Sequence, residues 1–407
     1  MTSLYQMIQR RKVCQTAHGR WLPLLLLALL AFGCAPMLAG RPDPSDIRDD
    51  LDAESLRLAI RRSVGYLEKL PPDRIVGEQP RRFTAGEILD ALLAFEQSLD
   101  GWECRECWVR ELYARFDLIP SSEDPELEQV LFTGYYQPVI EGSLVPTAEF
   151  RYPIYSMPAD LVVTEQPELV PQKAIGRFEN GAVVPYYSRR EIDELGFLQG
   201  RGYEIAWVKD PIELFFLHIQ GSGILQLQDG RRIFIGYAGQ NGRPYRSIGR
   251  LLIDREKIPR EEMSMQRLRR YLLDYPEEQS EIFFYNESYV FFRFLDEGPL
   301  GNIEVPLTPG RSIATDARLF PKGALAFIFT QTPVLDAGGR LVAWQPVSRF
   351  VLNQDTGGAI RGLQRADLYF GTGDEAGAEA GYMNRPGKLY FLSLKSPMIA
   401  ASAREKP

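Results

Sequence analysis

The segments NQDTGGAI at residues 353–360 and RADLYFG at residues 365–371 carry two of the three aspartates, Asp355 and Asp367, on which the interpretation of fold and chemistry depends. The third, Asp316, precedes them in Thr315-Asp316-Ala317. Each aspartate lies at a predicted strand end or glycine turn, where aspartate is common because its side chain bonds the local backbone. Three of them in one small β domain could also converge on a cleft, where burial raises a carboxyl pKa toward the range of acid–base catalysis.

The triplet Asp355-Thr356-Gly357 also occurs in aspartic proteases. Those enzymes bring two copies together so that two carboxylates share one proton. The chain holds a single copy, so a protease would require a symmetric dimer, and we disfavour this class.

Histidine is too scarce for several kinds of active site. The chain holds two histidines, and His18 lies in the leader described below, which leaves His218. One histidine excludes a His-x-x-x-His zinc site, and no Gly-x-Ser-x-Gly elbow is present for a serine nucleophile. We therefore expect no metal and no cofactor, and we predict a half-buried histidine on a strand within the apolar run 214–219.

The surrounding chain has the pattern of a mainly β protein that follows two helices. The first predicted helix ends before Pro71, and the second begins at Thr84, where Glu87 completes a capping box. The apolar face of the first consists of Leu56, Ile60, Val64 and Leu67. Short helices are predicted near 190–195 and 260–273. Apolar runs between turn residues predict strands from residue 130 onward, at 131–136, 213–219, 231–237 and 324–330.

The N-terminus has the features of an export signal. A basic start (Arg10, Arg11, Lys12, Arg20) precedes the apolar run Trp21–Phe32, which is shorter than the roughly 20 residues of a spanning helix. This pattern predicts a cleaved signal peptide over residues 1–33. Removing its four positive charges takes the net charge from −7 to −11. An acidic chain disfavours nucleic acid as a partner.

Three cysteines follow the start of the apolar run, one with a predicted role in membrane anchoring and two that form a local pair. The sequence Ala31-Phe32-Gly33-Cys34 is similar to a bacterial lipobox, so we expect acylation of Cys34, with residues 34–50 as a tether. The alternative is plain cleavage near residue 39, which would discard Cys34. Cys104 and Cys107 lack a second pair for zinc, and in an oxidising compartment they favour a local disulfide.

Taken in order, several motifs resemble the membrane-bound lytic murein transglycosylase A family. The motifs are FTGYY (132–136), HIQGSG (218–223), GQNG (239–242), VPLT (305–308), GRSIA (310–314), QDTGGAI (354–360) and GDEAG (373–377). The resemblance runs from about residue 128 to 395.

This resemblance implies a double-psi β-barrel catalytic domain, formed by residues 51–137 with the N-terminal helices and by residues 299–397. It implies a second β-rich, glycan-binding domain inserted at 138–298. The fold class is therefore mainly β. Periplasmic localisation at the outer membrane, through the lipid on Cys34, is the expectation that follows.

The implied activity is cleavage of the bond between N-acetylmuramic acid and N-acetylglucosamine in peptidoglycan strands, with formation of a 1,6-anhydro end. Asp367 matches the family's single catalytic aspartate, and Asp355 and Asp316 match its companions. The expected substrate-binding residues are Thr133, Tyr135, Tyr136, Gln220, Ser222, Gly358 and Tyr369. Because strand neighbours point to opposite faces, only one of the two adjacent tyrosines is expected to stack on the sugar. The alternatives are a β-glycan hydrolase that uses Asp367 and Asp355 together, and a non-catalytic murein-binding scaffold.

Overall fold

The structure, a computed structural model, describes residues 42–165 and 173–395. The predicted signal peptide and Cys34 lie outside the described residues. Within these ranges no helix has both the length and the apolar character needed to cross a bilayer.

The described chain contains α-helices and the strands of four sheets. The helices are α1 (Ala53–Leu67), α2 (Ala85–Ser98), α3 (Arg105–Arg115), α4 (Arg189–Asp193), α5 (Pro211–Gln220), α6 (Ile248–Asp254), α7 (Met265–Asp274), α8 (Gln279–Tyr285) and α9 (Asp374–Tyr382). The strands are β1 (Ile75–Gly77), β2 (Phe83–Thr84), β3 (Phe116–Pro120), β4 (Val130–Gln137), β5 (Val139–Ser143), β6 (Tyr152–Tyr155), β7 (Leu161–Glu165), β8 (Lys173–Glu179), β9 (Ala182–Pro185), β10 (Glu204–Val208), β11 (Ser222–Leu227), β12 (Arg232–Gln240), β13 (Val290–Leu295), β14 (Ser312–Ala314), β15 (Leu325–Leu335), β16 (Leu341–Asp355), β17 (Arg365–Thr372) and β18 (Asn384–Leu394).

Six strands close into a barrel in the order β15-β16-β14-β17-β4-β18, because β18 also pairs with β15. Two neighbouring pairs, β14 with β16 and β17 with β4, are parallel, and the other pairs are antiparallel. Phe327, Phe350, Leu368 and Phe391 of these strands are fully buried, and Phe350 packs against Phe95 of α2 and Trp108 of α3. The barrel and the second sheet below confirm the mainly β fold class.

A second, six-stranded sheet has the order β13-β12-β11-β5-β10-β6. One residue separates the barrel strand β4 from β5, so the chain passes directly from one sheet into the other. It returns after β13, and β14 is its next barrel strand. Helices α5 to α8 share an apolar cluster with one another, which includes Phe215, Leu252, Leu272 and Ile282.

The two predicted N-terminal helices are confirmed as α1 and α2. Asp52 caps α1, and Thr84 and Glu87 form the capping box of α2. The segment just before α1, within the stretch expected to be a tether, packs on the barrel: Ile47 is buried and Asp49 pairs with Arg311 at 2.6 Å, both side chains fully buried. A buried guanidinium without a counter-charge is costly, so these residues belong to the folded unit.

The strand prediction for 213–219 is wrong, because these residues form α5. Asp210 caps this helix by accepting from the Ile212 amide at 2.8 Å, Pro211 occupies its first turn, and Gly221 ends it with a φ of 77°. A short continuous apolar run does not distinguish a buried strand from a buried helix. His218 therefore lies on a helix, and it is buried rather than half-buried.

The remaining element predictions agree with the structure in part. The runs 131–136, 231–237 and 324–330 are confirmed as β4, β12 and β15, and the short helices near 190–195 and 260–273 as α4 and α7. Helices α3, α6, α8 and α9 were not predicted. Cys104 and Cys107, at the start of α3, are joined by a disulfide bond.

Candidate active site

A groove of about 400 Å³ is lined by residues of both the barrel and the six-stranded sheet. The barrel contributes Tyr135, Asp367 and the turn at 355–361. The other wall consists of residues 218–222, where α5 ends and β11 begins, together with parts of β12. These segments are distant in sequence. The two walls are connected through the single residue between β4 of the barrel and β5 of the six-stranded sheet.

Asp367 lies on β17 opposite Thr133 of the parallel strand β4. The Thr133 hydroxyl donates to Asp367 Oδ1, and Arg365 Nη2 donates to the Thr133 hydroxyl at 2.8 Å. Arg365 Nε lies 3.5 Å from the same Asp367 Oδ1. Burial raises the pKa of Asp367 to about 6, against the lowering effect of the Arg365 charge. A carboxyl group with such a pKa can both give and take a proton near neutral pH.

Asp355 lies at the end of β16, on the same groove. Its Oδ1 accepts from the backbone amides of Asn302 at 3.0 Å and Thr356 at 2.8 Å. The buried ammonium of Lys322 donates to the Asp355 carbonyl and, at 3.0 Å, to Asn353 Oδ1. Burial raises the pKa of Asp355 and lowers that of Lys322, while the attraction between their charges opposes both shifts.

Sequence reasoning missed Lys322. The one available signal is a lone lysine between Phe320 and the apolar run at 324–329, where a buried cation needs nearby acceptors.

Asp316 is not among the groove residues. Its fully buried carboxylate accepts from the Arg318 guanidinium at 2.7 Å and from the Gly362 amide at 2.9 Å. Burial alone would raise its pKa, but these hydrogen bonds lower the pKa to about 2. Asp316 is therefore ionised and ties the loop before β17 to the barrel.

The structure separates the two adjacent tyrosines. Tyr135 lines the groove, and burial and the negative charge of Asp355 raise its pKa. Tyr136 points to the other side of β4, where its ring packs so closely on Gly377 of α9 that a Cβ there would lie 2.7 Å from the ring. Tyr369 is buried next to Tyr135, with ring centroids 5.3 Å apart, and is not among the residues lining the groove.

Three other expected binding residues, Gln220, Ser222 and Gly358, line the groove. Gln220 Oε1 accepts from the Tyr136 amide at 3.0 Å, which links the second wall to the barrel strand. His218 also lines the groove, with Nδ1 2.8 Å from Arg189 Nη1. Burial and the Arg189 charge hold the pKa of His218 well below its ordinary value. Its imidazole is therefore neutral.

Among residues 42–165 and 173–395, no group of three or more His, Cys, Asp or Glu side chains is arranged to hold a metal ion.

Two family models match the chain. The MltA specific insert domain matches residues 131–293, and the 3D domain matches residues 311–393. The first range includes the six-stranded sheet except the last two residues of β13, and the second includes Asp316, Asp355 and Asp367.

The similar proteins reported below are named for the same enzyme. Membrane-bound lytic murein transglycosylase A of Escherichia coli (strain K12) is 37% identical over 266 residues, which is 65% of this chain and 65% of that protein. The match thus spans just under two thirds of that relative's length. A homolog of the same enzyme from Buchnera aphidicola subsp. Schizaphis graminum is 31% identical over 297 residues, 72% of this chain and 74% of the relative.

Solved structures share the fold. The membrane-bound lytic murein transglycosylase from Agrobacterium tumefaciens superposes with a TM-score of 0.71 at 33% identity, over 86% of this chain and 95% of that one. Escherichia coli MltA with bound chitohexaose gives a TM-score of 0.63 at 29% identity, over 83% of this chain and 90% of that one.

Proposed function

The chain belongs to the membrane-bound lytic murein transglycosylase A family, and from this we propose that it is a lytic transglycosylase of peptidoglycan. The substrate is the glycan strand, the cleaved bond joins N-acetylmuramic acid to N-acetylglucosamine, and the product carries a 1,6-anhydromuramic end. The observation that carries the proposal is Asp367: a groove-lining carboxyl group whose pKa is raised to about 6 by burial.

One carboxyl group is sufficient for this reaction. Asp367 gives its proton to the glycosidic oxygen as the C1–O bond breaks, and the N-acetylglucosamine leaves as an alcohol. The C6 hydroxyl of the muramic acid then bonds to C1, and its proton returns to the Asp367 carboxylate. No water is consumed, and the enzyme ends in its starting protonation state. Most glycosidases need a second carboxylate because their nucleophile or water requires one, whereas here the nucleophile belongs to the substrate.

The other aspartates support this role in our proposal. Asp355 fixes the backbone at Asn302 and Thr356 on the groove floor, and its charge adds to the forces that keep Asp367 protonated. Asp316 is ionised and bonded to Arg318, so it has no proton to give near neutral pH.

Glycan binding is proposed for the groove that holds Asp367. Tyr135 offers an aromatic face, and Gln220, Ser222 and the exposed backbone at Gly358 offer hydrogen bonds to sugar hydroxyl and acetamido groups. Thr133, also expected to bind the sugar, donates to Oδ1 of Asp367 beside this groove. We propose that residues 138–298 are the inserted glycan-binding domain, and that the barrel of 51–137 and 299–397 is the catalytic domain. The relative solved with chitohexaose bound supports a glycan ligand.

For localisation we propose the periplasm, with an acyl group on Cys34 anchoring the protein to the outer membrane. Several acyl chains on one N-terminal cysteine hold a protein firmly, whereas a single chain does not. Fractionation of cells that express Cys34→Ala tests this anchor. The wild type is expected with outer membranes and the variant in the soluble fraction; wild-type protein in the soluble fraction would contradict it.

Mass spectrometry of digested murein sacculi tests the activity. The expected products end in 1,6-anhydromuramic acid, and Asp367→Asn abolishes their release. Products with ordinary reducing ends would instead show a hydrolase.

The alternative of a two-carboxylate hydrolase is motivated by the raised pKa of Asp355. Asp355→Asn separates the two mechanisms. The single-acid mechanism retains measurable turnover in this variant, and a paired mechanism loses nearly all of it. A scaffold without activity would leave sacculi intact even with the wild type.

A further inference from the structure

We propose that Arg365 is a positioning residue that, through Thr133, fixes Oδ2 of Asp367 as the oxygen that carries the catalytic proton. The proposal rests on the function proposed above and deepens it. It concerns three side chains from two adjacent parallel strands: Arg365 and Asp367 from β17, and Thr133 from β4.

Strand geometry places the three side chains together. Arg365 and Asp367 are two residues apart on β17, so their side chains leave the same face of the sheet. Thr133 is the register partner of Asp367 in the parallel pair of β17 and β4. Arg365 Nη2 donates to Thr133 Oγ1 at 2.8 Å, and Thr133 Oγ1 donates to Asp367 Oδ1.

The direction of both hydrogen bonds follows from the chemistry of the groups. A guanidinium only donates, and it does not lose its proton in a protein. Thr133 Oγ1 must therefore accept from Arg365, and its single proton is free for Asp367 Oδ1. This oxygen is then an acceptor whether Asp367 is ionised or neutral. Because the carbonyl oxygen of a neutral carboxyl group accepts better than its hydroxyl oxygen, the hydrogen bond from Thr133 to Oδ1 favours the proton on Oδ2 when Asp367 is neutral.

The surroundings of Oδ2 agree with this role. Oδ2 of Asp367 has no hydrogen-bond partner within the described ranges, although the residue lines the groove and its side chain retains 18% of its exposure. The oxygen that Thr133 leaves free is thus the one available to a glycosidic oxygen.

Among the residues that the structure describes, the other charge that acts on Asp367 is negative. Asp355 at the end of β16 adds a negative charge, which raises the pKa of Asp367. Tyr135 on β4 and Tyr245 in the loop before α6 also lie near it, and burial raises the pKa of both, so they are neutral. Arg365 is the positive charge that opposes burial at Asp367. Its removal should therefore change both the geometry and the protonation of Asp367.

The experiment compares the pH dependence of glycan cleavage in Arg365→Met, Arg365→Lys and the wild type. Cleavage requires protonated Asp367 at its start, so activity falls on the alkaline side of the Asp367 pKa. Without the guanidinium, this alkaline limb should move up by about one pH unit, and the maximal rate should fall about tenfold because Thr133 no longer has a fixed direction. Arg365→Lys should keep the limb close to its wild-type position. Arg340→Met removes the same charge from an exposed hairpin turn and is the matched control.

Thr133→Val and Thr133→Ser test the hydrogen bond separately. Valine has nearly the shape of threonine but no hydroxyl, so the rate should fall as in Arg365→Met, while serine should retain it. An alkaline limb that stays in place in Arg365→Met, or full activity of Thr133→Val, would overturn the proposal.

Carbon NMR of ¹³C-aspartate-labelled protein measures the Asp367 titration directly, with Asp367→Asn to assign the signal. This readout does not depend on activity, so it separates the present inference from the proposed function. A wild type that releases no anhydro ends would refute the function, while an upward-shifted titration in Arg365→Met would still support the role of Arg365. Thermal unfolding of each variant identifies any that fail to fold. If Arg365→Met fails to fold, the titrations of Arg365→Lys and Thr133→Val decide the matter.

Discussion

Asp367→Asn should make the protein more stable at alkaline pH while it abolishes catalysis. Burial raises the pKa of Asp367 to about 6 from an ordinary 3.8. The folded state therefore binds this proton more tightly than the unfolded chain does. Stability linked to the group is fully present below about pH 3.8 and is lost as the pH rises toward and through 6.

The size of this loss follows from the two pKa values. Each pKa unit corresponds to about 1.36 kcal/mol, so the difference between about 6 and 3.8 amounts to about 3 kcal/mol above pH 7. Asparagine cannot ionise, and its side-chain oxygen can still accept from Thr133. The variant should thus match the wild type near pH 4 and exceed its free energy of unfolding by about 3 kcal/mol at pH 8.

Urea denaturation of both proteins from pH 4 to pH 8 measures this difference. Comparing variant with wild type at each pH cancels the titration of groups that do not interact with Asp367, and an unchanged urea slope shows that the unfolded states are comparable. Asp73→Asn, which removes an exposed carboxylate, reports the effect of losing one negative charge. A difference that does not grow with pH, or an asparagine variant that is less stable at pH 8, would refute the assignment of Asp367 as a buried acid.

Three further predictions concern Asp316, Gly301 and the tyrosine pair Tyr135 and Tyr136. Asp316→Asn should lower the free energy of unfolding by up to about 2 kcal/mol at pH 7, because the pKa of Asp316 is lowered to about 2 in the folded state and its ionised form stabilises the fold above pH 3.8. In thermal unfolding, the difference between wild type and variant should disappear as the pH falls toward 2. Gly301→Ala should destabilise the protein by about 1–3 kcal/mol, since a Cβ would overlap the Gln354 carbonyl oxygen, and equal stability in urea would contradict this close contact. Tyr135→Ala should weaken chitohexaose binding about tenfold, measured by calorimetry. Tyr136→Ala should instead lower the free energy of unfolding by about 3 kcal/mol and leave binding unchanged. Weaker binding in Tyr136→Ala with unchanged binding in Tyr135→Ala would contradict the placement of Tyr135 in the groove and of Tyr136 against α9.

The sequence predicts local features that depend on neighbouring residues. The capping box of Thr84 and Glu87 and the strand at Arg232–Gln240 carry complete local signals, and both are present in the structure. The helix at Pro211–Gln220 lacked a decisive signal, because its continuous apolar run fits a buried strand equally well. Its cap, Asp210 followed by Pro211, is a helix start that was available in the sequence.

The site could be predicted only in part, for a reason of register. Motifs indicate that the aspartates matter, but the pairing of Asp367 with Thr133 depends on how β17 aligns with β4, two strands far apart in the chain. The contact of Arg365 with Thr133 follows from the same alignment. The role of Lys322 could not be predicted for a related reason, since its acceptors come from other segments of the chain.

Three aspartates in similar turn contexts have different surroundings, and these surroundings favour Asp367 as the acid of the proposed reaction. Asp316 accepts from a guanidinium and from backbone amides, so it holds no proton near neutral pH. Burial also raises the pKa of Asp355, but one of its oxygens accepts from two backbone amides, and these bonds and the Lys322 charge oppose the rise. Asp367 has one oxygen held by a hydroxyl and the other free on the groove. This arrangement allows a proton to leave and return at a fixed position, as the proposed single-acid transglycosylation requires.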